Sequence, residues 1–141
     1  MSQNKPLILL RGGGDLASGV ALRLHHAGLN VVISELAQPL AVRRAVSFAE
    51  AVYEGHHTVE GITARLVEPE QIEPALASGE IPILIDPNAD ILLSSRSFLA
   101  VIDARLTKLS PTPLPTSIPL HIGLGPGFHA GRNCQIGRAH V

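Results

Sequence analysis

The chain has 141 residues, of which 45% are hydrophobic and 16% are charged, and its formal net charge is −1. This composition is typical of a single globular domain whose sheet is buried on both faces. The charge balance and the 3% of aromatic residues argue against a nucleic-acid-binding protein. Cys134 is the single cysteine, which excludes an internal disulfide framework and a paired-cysteine metal site. The sequence has neither a signal-peptide pattern nor a membrane-length apolar run, so a cytoplasmic protein is expected.

The first predicted elements form a strand–helix–strand unit. An apolar run at residues 7–10 predicts a buried strand, and an amphipathic helix is predicted over residues 16–27, with Gly28 as its stop. A second apolar run, at residues 31–34, ends in Glu35. The distance from the glycines before the helix to this acid is about 20 residues, the spacing at which an acid meets a ribose hydroxyl in dinucleotide-binding proteins.

A cluster of glycines joins the first strand to the helix. Gly12, Gly14 and Ala17 match the G-x-G-x-x-G/A pattern that binds the pyrophosphate of a dinucleotide. The first glycine allows a tight turn, the second lets a phosphate approach the backbone, and the alanine lets the helix pack closely on the sheet. We predict a cofactor-binding turn that includes Gly13, beside a helix N-terminus that attracts anions. Asp15 is predicted to be the N-cap of that helix.

The next stretch has apolar residues mostly at helical spacing. It predicts a helix that begins at Pro39, runs to about Tyr53 and is ended by Gly55. Arg43 and Arg44 lie near the start of this helix. They are predicted to contact a phosphate or carboxylate beside the glycine turn, since guanidinium groups bind such anions through two hydrogen bonds. The alternative is a solvated basic turn.

Residues 56–67 are predicted to form a short β-hairpin that caps or extends the edge of the sheet, with Glu60 and Gly61 at its turn. The neighbouring histidines, His56 and His57, suggest a metal site at first sight. Adjacent side chains on a strand point to opposite faces, and no third ligand stands at a suitable spacing. We therefore interpret both as loop histidines without a metal.

Several later strands are predicted to end in polar or glycine-rich turns. The predicted elements are, in chain order, a helix at 68–78, a strand at 81–85, helical turns at 88–97, a strand at 98–102, an extended proline-rich loop at 110–119 and a strand beginning at 120. Asp86, Asp103, Gly125 and Gly127 follow these strands. Because ligands of open parallel sheets bind at the carboxyl ends of the strands, these four residues are predicted to line the same rim as the first glycine turn. The two aspartates are alternatively cap or turn residues.

The alternation of strands and helices predicts an α/β fold, a Rossmann-like parallel sheet with flanking helices and one small β-hairpin. The motifs also resemble the YqeB-type family, which belongs to the accessory system of selenium-dependent molybdenum hydroxylases and is related to the Rossmann domain of XdhC. The motifs that carry the resemblance are RGGGDLASG at 11–19, SE at 34–35, PLAVRR at 39–44, SFAEAVYEG at 47–55, TVEG at 58–61, DP at 86–87, DAR at 103–105, Lys108 and IGLGPGF at 122–128. The resemblance covers nearly the whole chain, from about Pro6 to Arg132.

This resemblance implies an accessory or maturation factor, more a binding protein than an enzyme, with a molybdenum hydroxylase as its partner. It implies a dinucleotide or the molybdenum cofactor as ligand. The binding residues that it implies are Gly12, Gly14, Asp15, Glu35, Arg43, Arg44, Gly125 and Gly127. One alternative is an NAD(P)-dependent oxidoreductase, with Glu35 on the adenosine ribose and Asp103 or Lys108 in proton transfer. A second alternative is a protein-interaction module in which the glycines are structural.

The last residues depart from the family pattern. Family members continue beyond the glycine-rich segment, whereas residues 135–141, QIGRAHV, resemble nothing in the family. They match the translation of a common sequencing adapter. The expected organisation is therefore one Rossmann-like domain over residues 1–134, truncated at its C-terminus, followed by a non-native tail.

Overall fold

The computed structural model describes residues 5–106, 118–125, 130 and 134–138. The α/β fold predicted above is confirmed, because the described residues form one eight-stranded sheet with helices packed against it. The strands are β1 (Leu7–Arg11), β2 (Asn30–Glu35), β3 (His56–Val59), β4 (Ile62–Leu66), β5 (Ile81–Ile85), β6 (Ala100–Asp103), β7 (Leu120–Leu124) and β8 (Ile136–Arg138). The helices are α1 (Asp15–His26), α2 (Ala51–Glu54), α3 (Ile72–Ala77) and α4 (Asp90–Ser95).

The strand order is β3-β4-β5-β2-β1-β6-β7-β8, and every pair except the β3–β4 hairpin is parallel. Without the hairpin, the parallel strands follow the order of the doubly wound Rossmann sheet. In the sheet, β1 lies between β2, which follows it in the sequence, and β6, which comes later in the chain. The carboxyl ends of β1 and β6 are therefore the topological switch point, where such sheets bind ligands.

Alternating side chains of the strands fill two apolar layers, one on each face of the sheet. Ile8 and Leu10 of β1 pack in the layer that α1 covers, and Leu9 packs in the layer that α3 and α4 cover. Ala17 of α1 is 1% exposed within the first layer. Its small side chain lets the helix lie close to β1, as the sequence pattern predicts.

The prediction of a helix over residues 39–53 is wrong for most of that segment. The chain forms two short 3-10 turns, Arg44–Val46 and Phe48–Glu50, and only α2 at the end is helical. Ser47 between the turns has an extended backbone, and its Oγ donates a hydrogen bond to the carbonyl oxygen of Arg43. Burial of Phe48 in the core fixes this path and overrides the helical spacing.

The hairpin prediction is confirmed, with Glu60 and Gly61 both at positive φ in its turn. His56 and His57 lie in β3 rather than in a loop, and the ring Nε2 of His57 is 2.9 Å from the carbonyl oxygen of Ala45. Within the described residues, no helix is both long and apolar enough to cross a bilayer. At the opposite edge, Ile136–Arg138 pairs with β7, and its proposed non-native origin stays a prediction.

Candidate functional site

The three glycines after β1 differ in whether backbone conformation and packing allow a side chain at their positions. Gly12 has φ +100°, and a Cβ there would lie 3.2 Å from the carbonyl oxygen of Ala104. A Cβ on Gly13 would lie 3.2 Å from the amide nitrogen of Ala49. A Cβ on Gly14 would meet no atom of the described residues within 4 Å, and the backbone there is extended, with φ −68°. Backbone conformation and close packing therefore both require glycine at position 12. At position 13, close packing alone disfavours a side chain. At position 14, neither the backbone conformation nor the packing of the described residues requires glycine.

Gly14 is also the N-cap of α1, which corrects the prediction that Asp15 has this role. Asp15 already has helical backbone geometry as the first residue of α1, so its side chain is past the cap position. Among the residues that the structure describes, none caps this helix with a side-chain hydrogen bond. A carboxylate in the first turn still interacts favourably with the positive end of the helix dipole.

Ser18 and the 3-10 turn Phe48–Glu50 buttress the glycine turn. The Ser18 hydroxyl donates to the carbonyl oxygen of Gly13 and accepts from the amide of Phe48, at 3.2 and 2.8 Å. The amide of Ala49 donates to the same carbonyl at 2.8 Å. Sequence reasoning missed Ser18, whose only signal was a polar residue on the buried face of the helix.

Glu35 lies at the carboxyl end of β2 and reaches the glycine turn. Its carboxylate accepts hydrogen bonds from the amides of Gly13 and Leu36, each at 2.7 Å. The side chain thus ties the end of β2 to the turn. A carboxylate has further lone pairs for a ligand hydroxyl, so the predicted ribose contact is compatible with this arrangement.

A cavity of about 360 Å³ opens at the carboxyl ends of β1, β2 and β6. Its lining residues are Gly12, Gly14, Asp15, Leu16, Ala17, Ser34, Glu35, Leu36, Gln38, Leu40, Ala41, Val42, Pro87, Ala104, Arg105 and Leu106. The loop after β2 contributes an apolar rim, on which Leu40 is 95% exposed and Val42 is 94% exposed. Such exposure of aliphatic side chains beside a cavity is typical of a surface that a ligand or partner covers.

Arg43 and Arg44 do not line this cavity. The guanidinium of Arg44 forms two hydrogen bonds with the carboxylate of Glu50, both at 2.8 Å, and lies over the ring of Tyr53. These hydrogen bonds raise the pKa of Arg44 and lower that of Glu50. Arg43 lies in a neighbouring groove along α1 that also includes Asp15. An anion contact by either arginine stays a prediction.

The two predicted aspartates are both buried, and each has protein partners. Asp86 accepts hydrogen bonds from the amides of Ile91 and Leu92 at 3.3 and 3.0 Å, so it caps the start of α4. Asp103, which is 1% exposed, accepts from Nε and Nη2 of Arg105 at 2.8 and 2.5 Å. Asp103 thus anchors a side chain that lines the cavity, while its own carboxylate is enclosed.

Arg11, the last residue of β1, is buried and forms an ion cluster with the buried Asp103 and the more exposed Arg105. Its Nη1 lies 3.7 Å from Asp103, and its side chain is 8% exposed. Burial and the charge of Arg105 lower the pKa of Arg11, whereas Asp103 and Asp86 raise it. Sequence reasoning named neither arginine as a site residue. The available signal was a charged residue that ends an otherwise apolar strand.

The predicted glycines at the other end of the chain are only partly described. Gly125 follows β7 with φ +121° and is buried, on the same edge of the sheet. It is not among the described residues that line the cavity. Gly127 and Lys108 lie outside the described residues, so their predicted roles are untested.

His121 of β7 gives a pH-dependent prediction. Its ring is buried, and desolvation lowers its pKa below the ordinary 6.5, with Asp103 raising the pKa and Arg11 and Arg105 lowering it. The unfolded chain then binds a proton more readily, so the free energy of unfolding should fall as the pH drops below about 6.5. Denaturant unfolding between pH 5 and 8 tests this. In His121→Gln the free energy of unfolding should depend less on pH than it does in the wild type. His26→Gln, at an exposed histidine, is the control, and equal slopes in the two variants would contradict the prediction.

Comparison with known proteins shows a similarity over most of this chain. The chain is 46% identical over 130 residues to "Uncharacterized protein YqeB" of Escherichia coli (strain K12). The match covers 92% of this chain but 24% of that protein, so the chain spans about a quarter of the relative's length. No family model matches the chain. No solved structure matches it either.

Proposed function

We propose that the chain binds a nucleotide-bearing cofactor at the glycine turn and serves as part of an accessory factor for a molybdenum hydroxylase. Gly14 carries the binding part of this proposal. It lines the cavity and has an extended backbone that any residue adopts, and no described residue occupies the space into which a side chain would project. The fold itself does not require glycine at position 14. A phosphate that lies close to the backbone there would require it, because a side chain would occupy the same space.

The cavity fits the parts of a nucleotide. The N-terminus of α1 and the glycine turn suit a pyrophosphate, and Glu35 suits a ribose hydroxyl. The apolar rim with Leu36, Leu40 and Val42 suits the face of a base. A pterin cofactor with an attached nucleotide would hold its phosphates here and carry the molybdenum that the recipient hydroxylase uses in redox chemistry.

The accessory role rests on the motif resemblance and on the ionisable groups of the cavity. Among the described residues, the ionisable side chains of the lining are Asp15, Glu35 and Arg105. Glu35 is bonded to two backbone amides and Arg105 to Asp103. Glu35 and Arg105 are therefore suited to orienting a ligand rather than to transferring protons, which supports the accessory factor over an oxidoreductase. Asp15, the third group, lies in the first turn of α1.

A substitution at Gly14 tests the binding part. Gly14→Val should remove ligand binding, because the side chain fills the space that the phosphate needs. The free energy of unfolding should change by about 1 kcal/mol or less, the difference between glycine and a poorer N-cap. Gly19→Val is the matched control, since Gly19 lies in the same helix and no described residue comes within 4 Å of its Cβ position. It should leave binding intact.

Thermal melts with a ligand panel provide the measurement. The panel contains NAD+, NADP+, FAD, CTP, and molybdopterin with and without its nucleotide. A ligand at a hundredfold excess over Kd should stabilise the wild-type chain by about 2.7 kcal/mol. We expect a shift with nucleotide-linked molybdopterin that Gly14→Val abolishes. No shift with any ligand would contradict the binding proposal, and a shift with NAD+ or NADP+ alone would favour the oxidoreductase.

A further inference from the structure

Arg105 projects from the end of β6 into the lining of the cavity, next to the glycine turn. A Cβ built on Gly12 would lie 3.4 Å from the amide nitrogen of Arg105, so the glycine turn and Arg105 are close neighbours. The guanidinium is fixed by its two bonds to Asp103, which is 1% exposed, while 31% of the Arg105 side chain remains exposed. Nη1 and one hydrogen on Nη2 are left beyond the bonds with Asp103.

Arg105 supplies the positive charge that an anionic ligand of this cavity needs. Asp15 and Glu35 line the same cavity, and two carboxylates repel a phosphate that lies on the turn. Arg105 is the cation among the described lining residues. Asp103 faces Arg11 as well as Arg105, so its negative charge is divided between two guanidinium groups, while Asp86 also acts on Arg11.

We propose that Arg105 binds an anionic phosphate group of the ligand, with Asp103 as the residue that positions its guanidinium. The inference rests on the proposed function and adds a second contact for the pyrophosphate beside the helix N-terminus. A guanidinium held on one edge by a carboxylate presents a rigid pair of donors to a phosphate, so little side-chain entropy is lost on binding.

Calorimetric titration with inorganic pyrophosphate tests this assignment on the 141-residue chain. Arg105→Gln should weaken the binding of pyrophosphate about 10- to 100-fold, the range for a lost charge-assisted hydrogen bond. Arg105→Lys should restore part of the affinity, because it keeps the charge and loses the paired donors. The matched control is Arg65→Gln, which removes an arginine bonded twice to Glu80 at the hairpin edge. It should bind as the wild type does.

Two outcomes would overturn the assignment of Arg105. One is pyrophosphate affinity of Arg105→Gln equal to that of the wild type, and the other is a wild-type chain that does not bind pyrophosphate at all. Failure of the proposed function has a different signature. In that case no nucleotide in the melt panel stabilises the wild-type chain, and Gly14→Val behaves as the wild type does throughout.

Discussion

Asp103→Ala should lower the free energy of unfolding by about 3–5 kcal/mol, the cost of breaking a buried ion pair from one side. The carboxylate is 1% exposed and meets both Arg105, at 2.5 Å, and Arg11, at 3.7 Å. Its removal leaves the guanidinium of Arg11, whose side chain is 8% exposed, without its carboxylate partner in the interior. Denaturant unfolding monitored by circular dichroism measures the loss.

Glu80→Ala is the control for this prediction. Glu80 makes the same two-bond contact with Arg65, but those side chains are 21% and 46% exposed. A pair so accessible to water contributes about 1 kcal/mol or less. Equal losses of unfolding free energy in Asp103→Ala and Glu80→Ala would mean that burial does not strengthen the ion pairs of Asp103, which would contradict the prediction.

Gly12→Ala should lower the free energy of unfolding by about 2–4 kcal/mol, because backbone strain and a close contact act together. The backbone at Gly12 has φ +100°, and an added Cβ would lie 3.2 Å from the carbonyl oxygen of Ala104. That oxygen belongs to the backbone after β6 and cannot move without disturbing the switch point. Chemical denaturation is again the measurement.

Two further glycine variants separate the causes at Gly12. Gly28→Ala keeps the backbone strain without the close contact, since Gly28 has φ +87° and, in the described part of the chain, no atom within 4 Å of its Cβ position. It should cost about 1–2 kcal/mol. Gly14→Ala has neither cause and should be the mildest of the three. A loss at Gly14 as large as that at Gly12 would mean that the turn depends on glycine for folding throughout.

The sheet could be predicted because its strands are short apolar runs with clear stops. The runs at β1, β2 and β5 each end in a glycine or a polar residue, and the hairpin has glycine in its turn. These signals are local in the sequence. The alternation of strands with helices then restricted the topology to a parallel sheet, and the glycine turn located the candidate site at its carboxyl edge.

The misplaced helix and the missed arginines have a common physical cause, since both depend on tertiary contacts. Apolar residues at helical spacing predicted one helix from Pro39, but Leu40 is exposed at the rim of the cavity and Phe48 is buried in the core. The partnership of Arg11 with Asp103 exists because β1 and β6 are neighbours in register. No spacing along the chain indicates that pairing.

The most direct test of ligand binding at the glycine turn is a titration of the 15N-labelled chain with ADP and with CDP, followed by two-dimensional NMR. We expect the largest shifts at the amides of Gly14, Asp15, Leu16 and Arg105, which line the cavity. In the same titration of Gly14→Val, neither nucleotide should shift the amides of Asp15, Leu16 and Arg105. Largest shifts at residues remote from the turn, or no shifts with either nucleotide, would contradict the assignment of the ligand site.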